Sequence, residues 1–134
     1  MQYLVNAYAE GDAKKLYPKE NEKRAIVDLF LQFDLATLYQ RTVEYYFPSI
    51  LLGANLDETK KARLAEGLRF FDAMLKKEKK FSTSNDFTIA DLSLCVTVSQ
   101  IEAFQFDMLP YPKVRKWLKD CKLELESYGY EVIF

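Results

Sequence analysis

The sequence predicts an all-α domain, a bundle of helices around one core, and three observations carry that prediction. Apolar residues recur at helical spacings through nearly every long segment. No stretch of useful length alternates apolar and polar residues as a half-buried strand would, and there is no internal repeat or low-complexity tract. Finally, the most apolar segment opens on a helix-start signature, Phe87-Thr88-Ile89-Ala90-Asp91-Leu92. The 134 residues, 49% of them hydrophobic with four Gly and four Pro, suit a single domain with a sizeable core and exclude a disordered or collagenous chain.

Taken in order, Met1 to Ala9 has apolar residues at 1, 4, 5 and 8, a helical spacing with Gly11 as its stop. Gly11 to Asn21 reads as a polar connection anchored by Leu16-Tyr17-Pro18, with Pro18 pushing Tyr17 into an extended conformation. Glu20 to Phe47 reads as one long helix. Its stripe Val27, Leu31, Leu38, Tyr45 faces the core, while Ile26, Leu29, Phe30 and Phe33 form a second apolar face turned towards another partner. Pro48 is expected to break or kink it, with an apolar turn region over Ser49 to Asn55. Asp57 caps an amphipathic helix running to Lys79, with Ala62, Leu64, Ala65, Leu68, Phe71, Met74 and Leu75 inward.

Phe81 to Asp86 is a loop leading to the capping signature. Thr88 is the N-cap, and Asp91 returns a carboxylate to the Thr88 backbone N–H. Phe87 and Leu92 form the hydrophobic staple. Such a cap contributes about 1 kcal/mol. The helix that follows is apolar on nearly every side as far as Phe106, which predicts a buried central helix. After the break at Leu109-Pro110-Tyr111-Pro112, a last helix from Lys113 to Glu126 carries Val114, Trp117, Leu118, Cys121 and Leu125, and Gly129 ends it.

Charge and reactive residues narrow the chemistry. Nineteen basic and twenty acidic side chains give a net charge of −1, so no global field draws nucleic acid or an anionic membrane. The one basic run, Lys76-Lys77-Glu78-Lys79-Lys80, reads as a solvated helix end. No apolar run reaches the roughly 18 residues of a membrane span, and no signal peptide opens the chain, so a soluble cytoplasmic protein is expected. Cys95 and Cys121 make no disulfide framework. The chain has no His, which removes His-based acid–base and nucleophile arrangements and the commonest zinc ligand; no metal site is expected. No phosphate-binding glycine loop, paired-carboxylate pattern or CxxC occurs.

The second informative feature is aromatic density. Phe30, Phe33, Tyr39, Tyr45, Tyr46 and Phe47 fall within 18 residues, and they either line a pocket for flat apolar ligands or pack against a partner domain or subunit. Asp34 and Arg41, seven apart, share one side of the same predicted helix. They are either solvated or paired, or they sit at the edge of a charged-ligand site.

Taken together, Tyr3-Leu4-Val5 with Tyr8, Leu16-Tyr17-Pro18-Lys19, Lys23-Arg24-Ala25, Phe33-Asp34 and Thr37-Leu38-Tyr39-Gln40-Arg41 resemble insect delta-class glutathione S-transferases. So do Tyr45-Tyr46-Phe47-Pro48, the Phe87–Leu92 signature and Tyr111-Pro112-Lys113-Val114-Arg115-Lys116-Trp117, with the epsilon class the nearest alternative. The resemblance implies the all-α fold of that family's C-terminal helical domain. It implies that residues 1–12 are the end of the last helix of a thioredoxin-like domain plus its linker, and that residues 13–134 are the helical domain. The family's catalytic Ser, and the Glu-Ser pair that holds the glutamyl end of glutathione, would then lie before Met1. On that reading the chain is truncated and has no catalytic residue of its own.

By position, Tyr39, Thr42, Tyr46, Phe47 and Leu51 match the family's hydrophobic-substrate pocket, with Thr42 where an aromatic is common. Asp34 matches an acidic residue near the glutathione site and subunit interface, with Arg41 beside it. Phe87, Thr88, Asp91 and Leu92 match a folding motif with no part in chemistry. The implied partners are small hydrophobic electrophiles, glutathione as co-substrate only when the thioredoxin-like domain is present, and a second copy in the full-length homodimer. No nucleic acid, membrane or other cofactor is implied. The tail after Glu126 departs from the family. The alternative reading is a free-standing, non-catalytic helical module for binding or dimerisation, against which the apolar face of Ile26, Leu29, Phe30 and Phe33 argues.

Overall fold

A computed structural model of the chain describes residues 1–129, and among these every regular element is helical. The α-helices are α1 (Gln2–Tyr8), α2 (Asn21–Phe33), α3 (Gln40–Leu52), α4 (Glu58–Met74), α5 (Ile89–Ala103) and α6 (Pro112–Leu125). Short 3-10 turns cover Gly11–Leu16 and Glu126–Tyr128, and a π-helical segment, Asp34–Tyr39, joins α2 to α3 without a break. Helix α5 is the centre: α2 and the π segment pack on one side of it and α6 on another, while α4 closes the bundle against α3 and α6.

The reason for α5's position lies in its sequence. Nine of its residues are buried, among them Leu94, Cys95, Val98 and Ile101. Its start is held as expected: both halves of the Thr88–Asp91 capping box are present, with the Thr88 backbone N–H 3.0 Å from Asp91 Oδ2. Asp91 does more than cap. Its fully buried carboxylate also accepts from the Ser82 backbone N–H at 2.8 Å and from Trp117 Nε1 at 2.9 Å, tying the preceding loop and α6 to one point. A buried charge is tolerable only with its lone pairs filled in this way. Phe87 and Leu92 are half-buried against the core, and Phe87 meets Phe81 edge-on, ring centroids 5.3 Å apart.

Several expected boundaries shift, each for a local reason. Helix α1 stops at the extended Ala9, so Gly11, at φ +55°, opens the next turn instead of ending the helix. Pro48 does not end the long helix: α3 runs four residues past it, to Leu52. Gly53 terminates it in the left-handed region (φ +65°), with its N–H 3.0 Å from the Ser49 carbonyl. Helix α4 begins at the Asp57 cap, whose carboxylate accepts from the Thr59 and Lys60 N–H groups, and ends at Met74; the basic run therefore lies in the loop beyond it and not on a helix end. Ala62 is exposed, and Gly67 takes its place on the inward stripe, where an added Cβ would already touch Leu38 and Arg41.

Helix α5 ends at Ala103, short of Phe106. Gln105 stands at φ +60°, its N–H bonded to the Glu102 carbonyl and that of Phe106 to Ile101. This is the Schellman arrangement with glutamine in the seat glycine usually takes. The second apolar face of the long helix is also divided. Phe30 and Phe33 turn inward onto Phe71, with centroids 6.4 and 5.9 Å apart, whereas Ile26 and Leu29 stay exposed. Helix α6 starts at Pro112, a residue suited to a first turn, and the Asp72 carboxylate accepts from the Lys113 and Val114 N–H groups. After the Glu126–Tyr128 turn, Gly129 (φ +77°) is the last described residue, so the divergent tail beyond it lies outside the described residues.

Candidate functional site

The aromatic face belongs to α3 and the π segment before it. Tyr39, Thr42 and Tyr46 are spaced three and four apart and share one side; Phe47 and Leu51, four apart, occupy the flank beside it. The two sets differ in environment. Tyr46 is buried and its ring lies on Phe104, centroids 4.3 Å apart and planes 31° from parallel, with Tyr45 4.6 Å away. Tyr45 in turn meets Phe106 edge-on at 6.3 Å. The left-handed turn at Gln105 is thus what delivers Phe104 and Phe106 from the end of α5 onto α3. Neither was a candidate from sequence, because a turn without glycine left them looking like the last residues of a buried helix.

Thr42 is buried, and its hydroxyl donates to the Leu38 carbonyl at 2.8 Å, one turn back in the same helix. Tyr39, Phe47 and Leu51 are exposed, Leu51 at 73%. The five candidates therefore line one side of α3 and its flank as an α3 wall, Thr42 and Tyr46 buried and Tyr39, Phe47 and Leu51 exposed. Neither of two well-formed hollows elsewhere in the chain touches them.

Asp34 and Arg41 meet different helices. In a regular α-helix, seven residues would bring them to the same side, but the π segment between them inserts about one extra residue, rotating the register by roughly 100°. Asp34 turns to α5, only 4% exposed, and accepts from Ser93 Oγ at 2.5 Å on Oδ2; Oδ1 has no hydrogen-bond partner. Burial raises its pKa above the ordinary 3.8, while the Ser93 and Thr97 hydroxyls pull the other way. Arg41 turns to α4, donating to the Arg63 carbonyl at 2.6 Å and to Glu66 Oε2 at 3.1 Å. Each side chain thus ties its helix to a neighbouring one.

Burial, with Tyr45 adding to it, pushes the Tyr46 phenol up to about 12. The Tyr17 hydroxyl donates to Asp28 at 2.8 Å, and that of Tyr111 to the Ala65 carbonyl at 3.2 Å; burial raises both pKa values. Burial foremost, then the neighbouring Cys95, drives the Cys121 thiol well above its usual value, which makes it inert as a nucleophile. Among the described residues, no group of three or more carboxylates and thiols is placed to hold a metal, and no helix is long and apolar enough to cross a membrane.

Comparison with known proteins fits this picture. Residues 52–124 match the model of the glutathione S-transferase C-terminal domain. That stretch starts at the last residue of α3, so the α3 wall lies before it. Similarity to whole proteins covers the wall as well. The chain is 62% identical over 133 residues to glutathione S-transferase D7 of Anopheles gambiae, covering 99% of this chain and 60% of that protein. It superposes on a Bombyx mori glutathione transferase with a TM-score of 0.91 and 38% identity, covering 97% of this chain and 59% of the other. With a delta-class glutathione transferase of Nilaparvata lugens the TM-score is 0.85 and the identity 40%, covering 91% and 56%. The chain thus spans about three-fifths of the length of these relatives.

Proposed function

The chain belongs to the glutathione S-transferase family, matching its C-terminal helical domain, and from that premise we propose that it is the electrophile-binding half of a delta-type transferase. The observation that carries this reading is the α3 wall, with Tyr39, Phe47 and Leu51 exposed beside Tyr46, a buried ring that stacks on the 39% exposed Phe104. A flat apolar electrophile laid there buries apolar area worth about 25 cal/mol per Å². In the complete reaction the glutathione thiol gives up its proton to solvent. The sulfur then bonds to the electrophilic carbon, and the leaving group departs with its electron pair. Holding the thiolate falls to the thioredoxin-like domain that the family resemblance implies. A homodimer of the full-length protein, acting on small hydrophobic electrophiles in detoxification, is part of the same proposal.

The reading is tested with 1,3-dinitrobenzene, an unreactive stand-in for an aromatic electrophile, titrated into the chain by NMR. Shifts are expected to centre on α3. Tyr39→Ala and Phe47→Ala, both at exposed positions that leave the core intact, should each weaken binding about three- to tenfold, the worth of one lost aromatic contact. Binding that ignores both substitutions would overturn it.

A further inference from the structure

Two thiols lie in the core, Cys95 on α5 and Cys121 on α6, both fully buried. Cys95 stands four residues after Asp91, and Cys121 four residues after Trp117. Asp91 and Trp117 are joined across the two helices by the 2.9 Å hydrogen bond from the indole N–H to the carboxylate. A step of four residues keeps to the same face of a helix, so each thiol stands one turn beyond a member of that bond. There the thiols meet, with a side-chain hydrogen bond linking Cys121 to Cys95. A second polar link between the same helices, the Lys122–Glu102 ion pair, lies further along the contact. The two links fix how α5 and α6 sit against each other, and with that the approach of the two sulfurs.

We infer that Cys95 and Cys121 form a reversible disulfide, a redox-operated brace between α5 and α6. The oxidant is a hydroperoxide. First, one sulfur, as thiolate, attacks a peroxide oxygen. The O–O bond breaks, that sulfur becomes a sulfenic acid, and the departing oxygen takes up a proton and leaves as water or an alcohol. Then the second sulfur bonds to the first, the S–O bond breaks, and the hydroxyl leaves with the second thiol's proton as water. The two thiols together lose two electrons and the peroxide gains them.

Burial decides when this happens. It keeps the Cys121 thiol protonated, so the closed fold protects the pair. Oxidation begins when α6 lifts from α5 far enough to admit water and peroxide, and it is completed when reclosing returns the partner sulfur. The bond then closes a loop across 26 positions and favours the folded chain over the unfolded one. A chain whose core has loosened under oxidising conditions is thereby fastened shut. The inference stands independently of the role proposed for α3.

The test is exposure of the purified chain to excess hydrogen peroxide in sub-denaturing urea, which raises the open fraction. The expected product is a monomer in which neither cysteine reacts with iodoacetamide after denaturation. Trypsin should release from it residues 81–113 joined to residues 120–122, and dithiothreitol should part them. The urea midpoint of the linked chain should stand about 1–2 M above that of the same sample after dithiothreitol. Cys95→Ala and Cys121→Ala should each abolish the link and the midpoint rise, since either leaves one sulfur without its partner. The peptide map of the parent chain needs no variant, so a substitution that loosens the core leaves it decisive. Sulfinic or sulfonic acid without a link, a link between two chains, or thiols left unchanged would each overturn the inference. So would a linked chain whose midpoint does not rise.

Discussion

Asp34 shows what a single residue can and cannot disclose before the fold is seen. From sequence it was either solvated or paired, or at the edge of a charged-ligand site; in the fold it is nearly inaccessible and bonded to Ser93, 59 positions away. No local pattern encodes such a distance. Because its folded pKa is raised above 3.8, the folded state holds the proton more tightly, and stability falls as pH rises from 3.8 through the raised value. Asn in its place carries no charge and still offers Ser93 an acceptor. Asp34→Asn should therefore remove a falling component from the stability-versus-pH curve and leave the variant at least as stable as the parent at pH 7. Urea unfolding at a series of pH values from 3 to 7 checks this; a variant curve parallel to the parent's would contradict it. Asp91 is the opposite case. Its capping role was legible because the partner is three residues away, whereas its bonds to Ser82 and Trp117 were not.

At the scale of elements, identity was easier to read than termination. Five helical segments follow from apolar spacing and from the caps at Asp57 and Thr88, with α2 and α3 read as one helix that the π segment divides. What escaped the reading were ends and registers set by tertiary packing. Pro48 stays inside α3 because it costs one hydrogen bond near the helix end, which the packing of Tyr45 and Tyr46 offsets. The π segment rotates Asp34 away from Arg41, and nothing in Asp34–Tyr39 announces the extra residue. Gln105 ends α5 in a conformation that disfavours any side chain by about 1–2 kcal/mol. Gln105→Gly removes that strain at the cost of extra freedom in the unfolded chain, so a net gain of about 0.5–1 kcal/mol is expected in thermal or urea unfolding. A loss of stability would show that the glutamine side chain contributes more than its backbone strain costs.

For the whole molecule, the chain pairs a well-built core with apolar surface left open. Ile26 and Leu29 on α2, Tyr3 and Tyr8 on α1, and Leu51 and Leu52 on α3 all remain exposed. On the proposed reading, the exposed side chains of α3 are the part of this surface that an electrophile would meet. The aromatic cluster of Tyr39, Tyr45, Tyr46 and Phe47 was legible from its density, while Thr42 and Leu51 entered only through the family resemblance. The stacking of Phe104 on Tyr46 was not legible, because it joins elements distant in sequence. The most direct measurement is the conjugation rate of the purified chain with glutathione and 1-chloro-2,4-dinitrobenzene across glutathione concentration. The account predicts the uncatalysed rate at every concentration. Saturable turnover above that background would contradict it, and would mean that a group within these residues lowers the thiol's pKa.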